Sequence, residues 1–276
     1  MQLTARGWTF DVRVDGPAKG APVLLLHGFP QHSGMWAPVA GRLHAAGLRT
    51  IAPDQRGYSP GARPEAVEAY RIAECAADAV ALLDALGIPR AHLVGHDWGA
   101  MVAWHVAGRH AERAATLTAV SVPHPAAYLD ALRTDADQQR RSRYIALFRI
   151  PKVAELVLLR DDAAALRRAF AGSGLDDAAV ERYVAPLRAP GALTAALNWY
   201  RAASDDDLTG LGPITCPTTY VWSDADVALG RTAAEACGRH VSGPYAFVTL
   251  PGISHWVPEQ APDALTEAIL ARLGIG

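Results

Sequence analysis

The sequence predicts an α/β protein: a mostly parallel sheet flanked by helices, with a purely helical segment inserted before the last strands. Three observations predict it. Short apolar runs end at Gly or Pro, stretches of helical period separate them, and one long segment carries no strand signal. Val23–Leu26 (VLLL), bounded by Pro22 and Gly28, is too short for a helix and reads as a buried strand. Thr50–Ala52 before Pro53, His92–Val94 before Gly95, and Thr116–Val122 before Pro123 repeat the signal. Between them, Tyr70–Leu86 places Ile72, Cys75, Ala79, Leu82, Leu83 and Leu86 on one helical face, and Gly87 and Pro89 stop it. Such alternation implies parallel strands joined by crossover helices. From Pro125 to Pro213 the pattern is helical throughout, broken at Pro151, Gly172–Gly174 and Pro190–Gly191. Strands return at Thr218–Trp222 and Tyr245–Leu250, and Ala261–Leu273 closes the chain as a helix. The expected division is therefore a core at 1–124 and 214–276, with a helical cap at 125–213 laid over the C-terminal edge of the strands.

Composition narrows the partners. The 276 residues carry 26 Lys and Arg against 28 Asp and Glu, a net charge of −2, so no basic excess exists for nucleic acid or anionic lipid. Cys75, Cys216 and Cys237 are far apart and form no C-x-x-C pair, which points to a reducing compartment without a disulfide framework. The polar start MQLTARGWTFDVRVDG does not read as a signal peptide, and no apolar run approaches the ~20 residues of a membrane span. A cytoplasmic protein is expected. No H-E-x-x-H or similar spacing suggests a metal, and His44, His110 and His240 look like ordinary surface or helix positions. A homodimer is left open.

The most informative segment is His92–Ala100, HLVGHDWGA. Small residues two before and two after a central residue permit a sharp strand-to-helix turn that lifts the central side chain above the sheet. That residue is usually Ser; here it is Asp97. Taken alone, the pattern also describes an acidic cap on the following helix. Two later loops argue for chemistry. VWSDAD at 221–226 follows a strand and offers Asp224 or Asp226, and PGISHW at 251–256 follows the last strand and offers His255. Nucleophile, acid, histidine is the chain order of α/β-hydrolase triads. The loop His27-Gly28-Phe29-Pro30 after the first apolar strand would supply one backbone N–H of an oxyanion hole, from Phe29, and Trp98 the other.

A carboxylate at this turn needs no base to remove a proton. It can displace a leaving group from saturated carbon and become an alkyl ester, which water then cleaves with help from His255. Halides and epoxides are the obvious leaving systems. Opening an epoxide calls for acidic O–H donors, and Tyr144 and Tyr200 fall at suggestive places in the helical segment. Tyr128 and Tyr183 are expected to be packing residues.

The chain resembles the α/β-hydrolase-fold epoxide hydrolases over nearly its whole length. The shared pieces are HGFP at 27–30, DQRGY at 54–58, GHDWGAMVAW at 95–104 and VPHP at 122–125. YIALFRIP at 144–151, GALTAALNWYR at 191–201, VWSDADVALG at 221–230 and GISHWVPEQ at 252–260 complete them. The resemblance implies Asp97 as nucleophile, Asp226 rather than Asp224 as triad acid, and His255 as base. It also implies that Tyr144 and Tyr200 protonate the epoxide oxygen, with His27, Pro30 and Trp199 along the substrate pocket and no cofactor. Ser223 replaces the family's usual Gly, and Ser59-Pro60 departs from its R-G-Y-G-x-S run. Haloacid-cleaving relatives carry Arg after the nucleophile, where this chain has Trp98. A haloalkane dehalogenase with Trp98 and Trp199 holding the halide, or a non-catalytic ligand receptor, are the alternatives.

Overall fold

A computed structural model describes residues 1–275. Eight strands form one sheet: β1 Gln2–Ala5, β2 Trp8–Asp15, β3 Pro22–Leu26, β4 Arg49–Pro53, β5 Ala91–His96, β6 Ala114–Val120, β7 Thr218–Ser223 and β8 Tyr245–Leu250. Their order is β1-β2-β4-β3-β5-β6-β7-β8. From β4 through β8 every pairing is parallel, while β1 and β2 join antiparallel at one edge. The six apolar runs expected as strands are strands. The N-terminal hairpin was not expected, because its polar residues mask a period-two pattern in which only Phe10 and Val12 of β2 are buried. Arg6 and Gly7, both at positive φ (51° and 81°), make its two-residue turn.

Period-two alternation divides the core between the two faces of the sheet. Leu24 and Leu26 of β3 face one side with Trp104 and Leu82, and Val23 and Leu25 face the other with Leu43 and Ile269. The predicted helix at 70–86 is Ile72–Ala85, preceded by a 3-10 turn at Val67–Tyr70. The strand expected at 116–122 ends at Val120, where Ser121 turns the chain with φ 65°. Seven helices lie between β6 and β7, running from Pro125 to Leu208, and the expected breaks fall between them. The helix Val153–Ala169 bends at Asp161, Asp162 and Ala163, all at positive φ, a break with no Gly or Pro to announce it.

From the adjacent strands β3 and β5 the chain leaves in opposite directions, β3 to β4 on one side and β5 to β6 on the other. This is a topological switch point, where connections diverge and leave a crevice at the carboxyl ends of the strands. Both Asp97, following β5, and the Phe29 loop, following β3, lie at that crevice.

The loop after β4 carries a buried ion pair. Arg56 donates to Asp78 through Nε (2.6 Å) and Nη2 (2.7 Å), both side chains being about 5% exposed or less. Arg6 adds a third bond to Asp78 at 3.0 Å. Asp78→Ala would leave the Arg56 guanidinium buried without its partner, so a loss of about 3–5 kcal/mol is expected in urea denaturation.

Candidate active site

Asp97 adopts φ 54° and ψ −124° between β5 and the helix Trp98–Arg109. A non-glycine residue there is strained by ~1–3 kcal/mol and needs its surroundings to hold it. The turn closes only because its neighbours lack side chains. A Cβ on Gly95 would lie 2.2 Å from the Gly99 carbonyl oxygen, and one on Gly99 2.0 Å from that of Leu26. A Cβ on Gly28 would meet Asp97 Oδ1 at 2.2 Å. The carboxylate makes no capping bond to its own helix, which removes the helix-cap reading. Instead the Phe29 N–H donates to Oδ1 at 2.8 Å, and the nearby Trp98 amide helps to keep the carboxylate ionised. Of the two amides expected to form an oxyanion hole, that of Phe29 bonds Asp97 directly and that of Trp98 follows it in the chain.

The other oxygen, Oδ2, lies 3.5 Å from His255 Nε2. Across the ring, Nδ1 bonds Asp226 Oδ2 at 2.8 Å. Asp226 is buried, and its Oδ1 accepts from the Ala228 (2.7 Å) and Leu229 (3.1 Å) amides. Asp224 is exposed and accepts from the Gly252 amide at 2.6 Å, away from the imidazole. Sequence reasoning missed His96. Its Nε2 bonds the His255 carbonyl at 2.8 Å, so the residue before Asp97 helps place the imidazole.

Burial alone would lower the basicity of His255, but Asp226 and then Asp97 outweigh it and push its pKa up to about 10. Burial would likewise raise the Asp97 carboxyl, yet hydrogen bonding and charge from His255 hold it below the usual carboxylate range. Both shifts favour carboxylate and imidazolium as the resting pair.

Asp97 opens onto a cavity of about 330 Å³ whose wall is mostly apolar. Tyr144 and Tyr200, from two inserted helices, line it together with Trp98 and Trp199. The two phenol rings meet edge to face at 6.2 Å, and Tyr200 packs edge to face on Trp98 at 5.0 Å. Burial first, and the Asp97 charge with it, raise both phenols well above 10, so both keep their protons. Trp199 lines the cavity but donates its indole N–H to the Arg56 carbonyl at 2.8 Å.

Two expected pocket residues are placed elsewhere. The HGFP loop turns its backbone, not the side chains of His27 and Pro30, toward Asp97, and neither residue lines the cavity. His27 is wholly buried, with Nδ1 against the Gly28 carbonyl (3.1 Å) and Nε2 accepting from the Gln55 amide (3.0 Å). It clamps one loop to the next. Tyr183 donates to Glu259 away from the cavity. Tyr128, by contrast, lines the cavity, which packing alone did not anticipate. No cluster of three or more His, Cys, Asp or Glu side chains suited to a metal occurs among the described residues. None of the described helices is long and apolar enough to cross a membrane.

The fold and the acid-bearing turn define a class. Residues 21–262 match the family model for the alpha/beta hydrolase fold. The chain belongs to the α/β-hydrolase-fold family, and within it to the epoxide hydrolase family. It is 35% identical to Epoxide hydrolase A of Mycobacterium tuberculosis, covering 94% of this chain and 92% of that protein. It is 34% identical to the AB hydrolase superfamily protein YfhM of Bacillus subtilis, covering 98% and 96%. Among solved structures, Epoxide Hydrolase A from Mycobacterium thermoresistibile superimposes with a TM-score of 0.89 at 30% identity, covering 99% of this chain and 97% of that one.

Proposed function

We propose that the protein hydrolyses a small-molecule epoxide to a vicinal diol through an ester on Asp97, and that the segment 125–213 is the cap that supplies the proton donors. The observation that carries this reading is a single carboxylate placed between an imidazole on one side and two phenols on the cavity wall. Family membership supports the activity; the route rests on the chemistry of these groups.

In the first step Asp97 Oδ2 attacks an oxirane carbon, the C–O bond breaks, and the departing oxygen takes a proton from Tyr144 or Tyr200. Asp97 then carries no charge, so His255 loses one of the two carboxylates that keep it protonated. Its proton restores the phenol, and the neutral imidazole becomes able to accept one from water. Hydroxide adds to the Asp97 carbonyl carbon while the Phe29 and Trp98 amides hold the oxyanion, an interaction typically worth ~2.7–4 kcal/mol per donor. Collapse breaks the bond from the Asp97 carbonyl carbon to the substrate oxygen, and the alkoxide takes the proton of the new carboxylic acid, so the diol leaves and carboxylate and imidazolium return.

Halide departure would instead call on indole N–H donors, and that of Trp199 is already bonded to Arg56. Incubation with styrene oxide is therefore expected to give phenylethanediol, while 1-chlorobutane yields no chloride. Chloride release without diol would reverse the assignment.

The charge states also set the pH dependence. Alkylation uses anionic Asp97 and protonated tyrosines, both held across the neutral range by their shifted pKa values. For epoxide, kcat/KM is expected to stay level from about pH 5 to about pH 9. Where ester cleavage limits turnover, kcat falls on the acid side as His255 holds its proton. An acid limb in kcat/KM near the ordinary imidazole value would show that a neutral histidine is needed for the first step, against this scheme.

A further inference from the structure

The cavity wall carries a hydroxyl pair that the reaction does not use. Tyr128 of the helix Pro125–Thr134 and Ser142 both line the cavity, and their oxygens lie 3.0 Å apart. Gln138 Nε2 donates to Ser142 Oγ at 3.0 Å. The orientation of that amide is fixed by backbone at both ends. Its Oε1 must accept from the Gly230 N–H (2.8 Å), and its Nε2 must donate to the Ala228 carbonyl (2.8 Å). Gln138 is therefore a donor to the pair and takes no proton from it.

Counting protons then leaves one over. Two hydroxyls carry two hydrogens, and the bond between them uses one, whichever way it points. Neither hydroxyl makes a hydrogen bond to a further acceptor among the described residues. The surplus hydrogen belongs to a group on the cavity wall. Elsewhere on that wall Arg149 donates to the Tyr200 and Ala203 carbonyls (2.9 and 3.1 Å), and the Asp207 carboxylate accepts from Ser204. The same cavity wall carries the apolar side chains of Leu129, Leu132, Ile145 and Leu229.

We propose that Tyr128 and Ser142 form a donor site for an acceptor oxygen on the substituent of the epoxide, so that the preferred substrates are epoxides bearing an ether-type oxygen beyond the ring. This rests on the epoxide reading above. An apolar chain in the same place would displace water from the hydroxyls and leave the surplus hydrogen without an acceptor, a penalty that an oxygen in the chain removes. Discrimination therefore arises at the arm of the substrate, apart from the oxirane itself.

The test compares substrates that differ only by O for CH2: phenyl glycidyl ether with 4-phenyl-1,2-epoxybutane, and benzyl glycidyl ether with 5-phenyl-1,2-epoxypentane. For at least one pair the native protein is expected to show kcat/KM about tenfold higher for the ether. In the double variant Tyr128→Phe with Ser142→Ala that ratio falls to about one. The single Tyr128→Phe variant, which keeps the ring in place, gives an intermediate ratio. Equal turnover of ether and carbon partners in both pairs by the native protein overturns the proposal while leaving the epoxide reading intact. So does a double variant that loses activity on both partners alike, since the hydroxyls would then act at the oxirane. Absence of diol from all four compounds would overturn the epoxide reading itself.

Discussion

Asp97→Asn is expected to lower kcat/KM for styrene oxide by about 10,000-fold or more, the scale on which enzymes lose activity when the nucleophile goes. The substitution is nearly isosteric. Asn has the shape of the Asp it replaces, and its carbonyl oxygen can still accept from the Phe29 amide. Thermal unfolding should therefore change little while activity collapses. The reason is electronic: an amide oxygen is too weak a nucleophile to open an oxirane under these conditions. The imidazole is affected as well, because its raised pKa depends partly on the Asp97 charge. Comparable activity in Asp97→Asn and the native protein, measured on freshly prepared samples, would mean that water opens the ring without help from this side chain.

His255→Gln is expected to separate the two chemical steps. Alkylation needs Asp97 as an anion and a phenol as acid, and neither role belongs to the imidazole. Ester cleavage needs a base at Nε2, and nothing else among the described residues is placed to supply it. Steady-state turnover should fall by about 10,000-fold, with loss of epoxide limited to one equivalent per enzyme. The intact chain should gain the mass of the epoxide. Asp226→Ala should give a milder version of the same defect, because the imidazole would lose both its orientation through Nδ1 and its electrostatic support.

The legible parts of the fold are those where local pattern and tertiary environment agree. Leu24–Leu26 is buried on both sheet faces, and a continuous apolar run has no other stable use at that length. The elbow was legible because a steric requirement at Gly95 and Gly99 has a sequence signature. The N-terminal hairpin was not, since an edge ribbon buries few side chains and its strands read as polar. The choice between Asp224 and Asp226 could not be made from spacing, because both lie in one loop; which one turns inward depends on the Ala228 and Leu229 amides that hold Asp226. The place of His27 is hidden in the sequence for a related reason. A histidine beside an active-site loop looks available for chemistry, but burial and the Gln55 amide commit it to holding the loop. Tyr128 erred the other way: a helical tyrosine reads as packing until the neighbouring helices show it facing the cavity.

The account stands on Asp97 donating its own oxygen to the product. One turnover in heavy-oxygen water, with enzyme in excess over styrene oxide, examines that donation directly by mass spectrometry of the diol and of the peptide containing Asp97. The expected result is a first-formed diol without solvent oxygen and an Asp97 carboxylate that has gained it. Solvent oxygen in the first diol, with Asp97 unlabelled, would contradict the ester and leave direct attack by water.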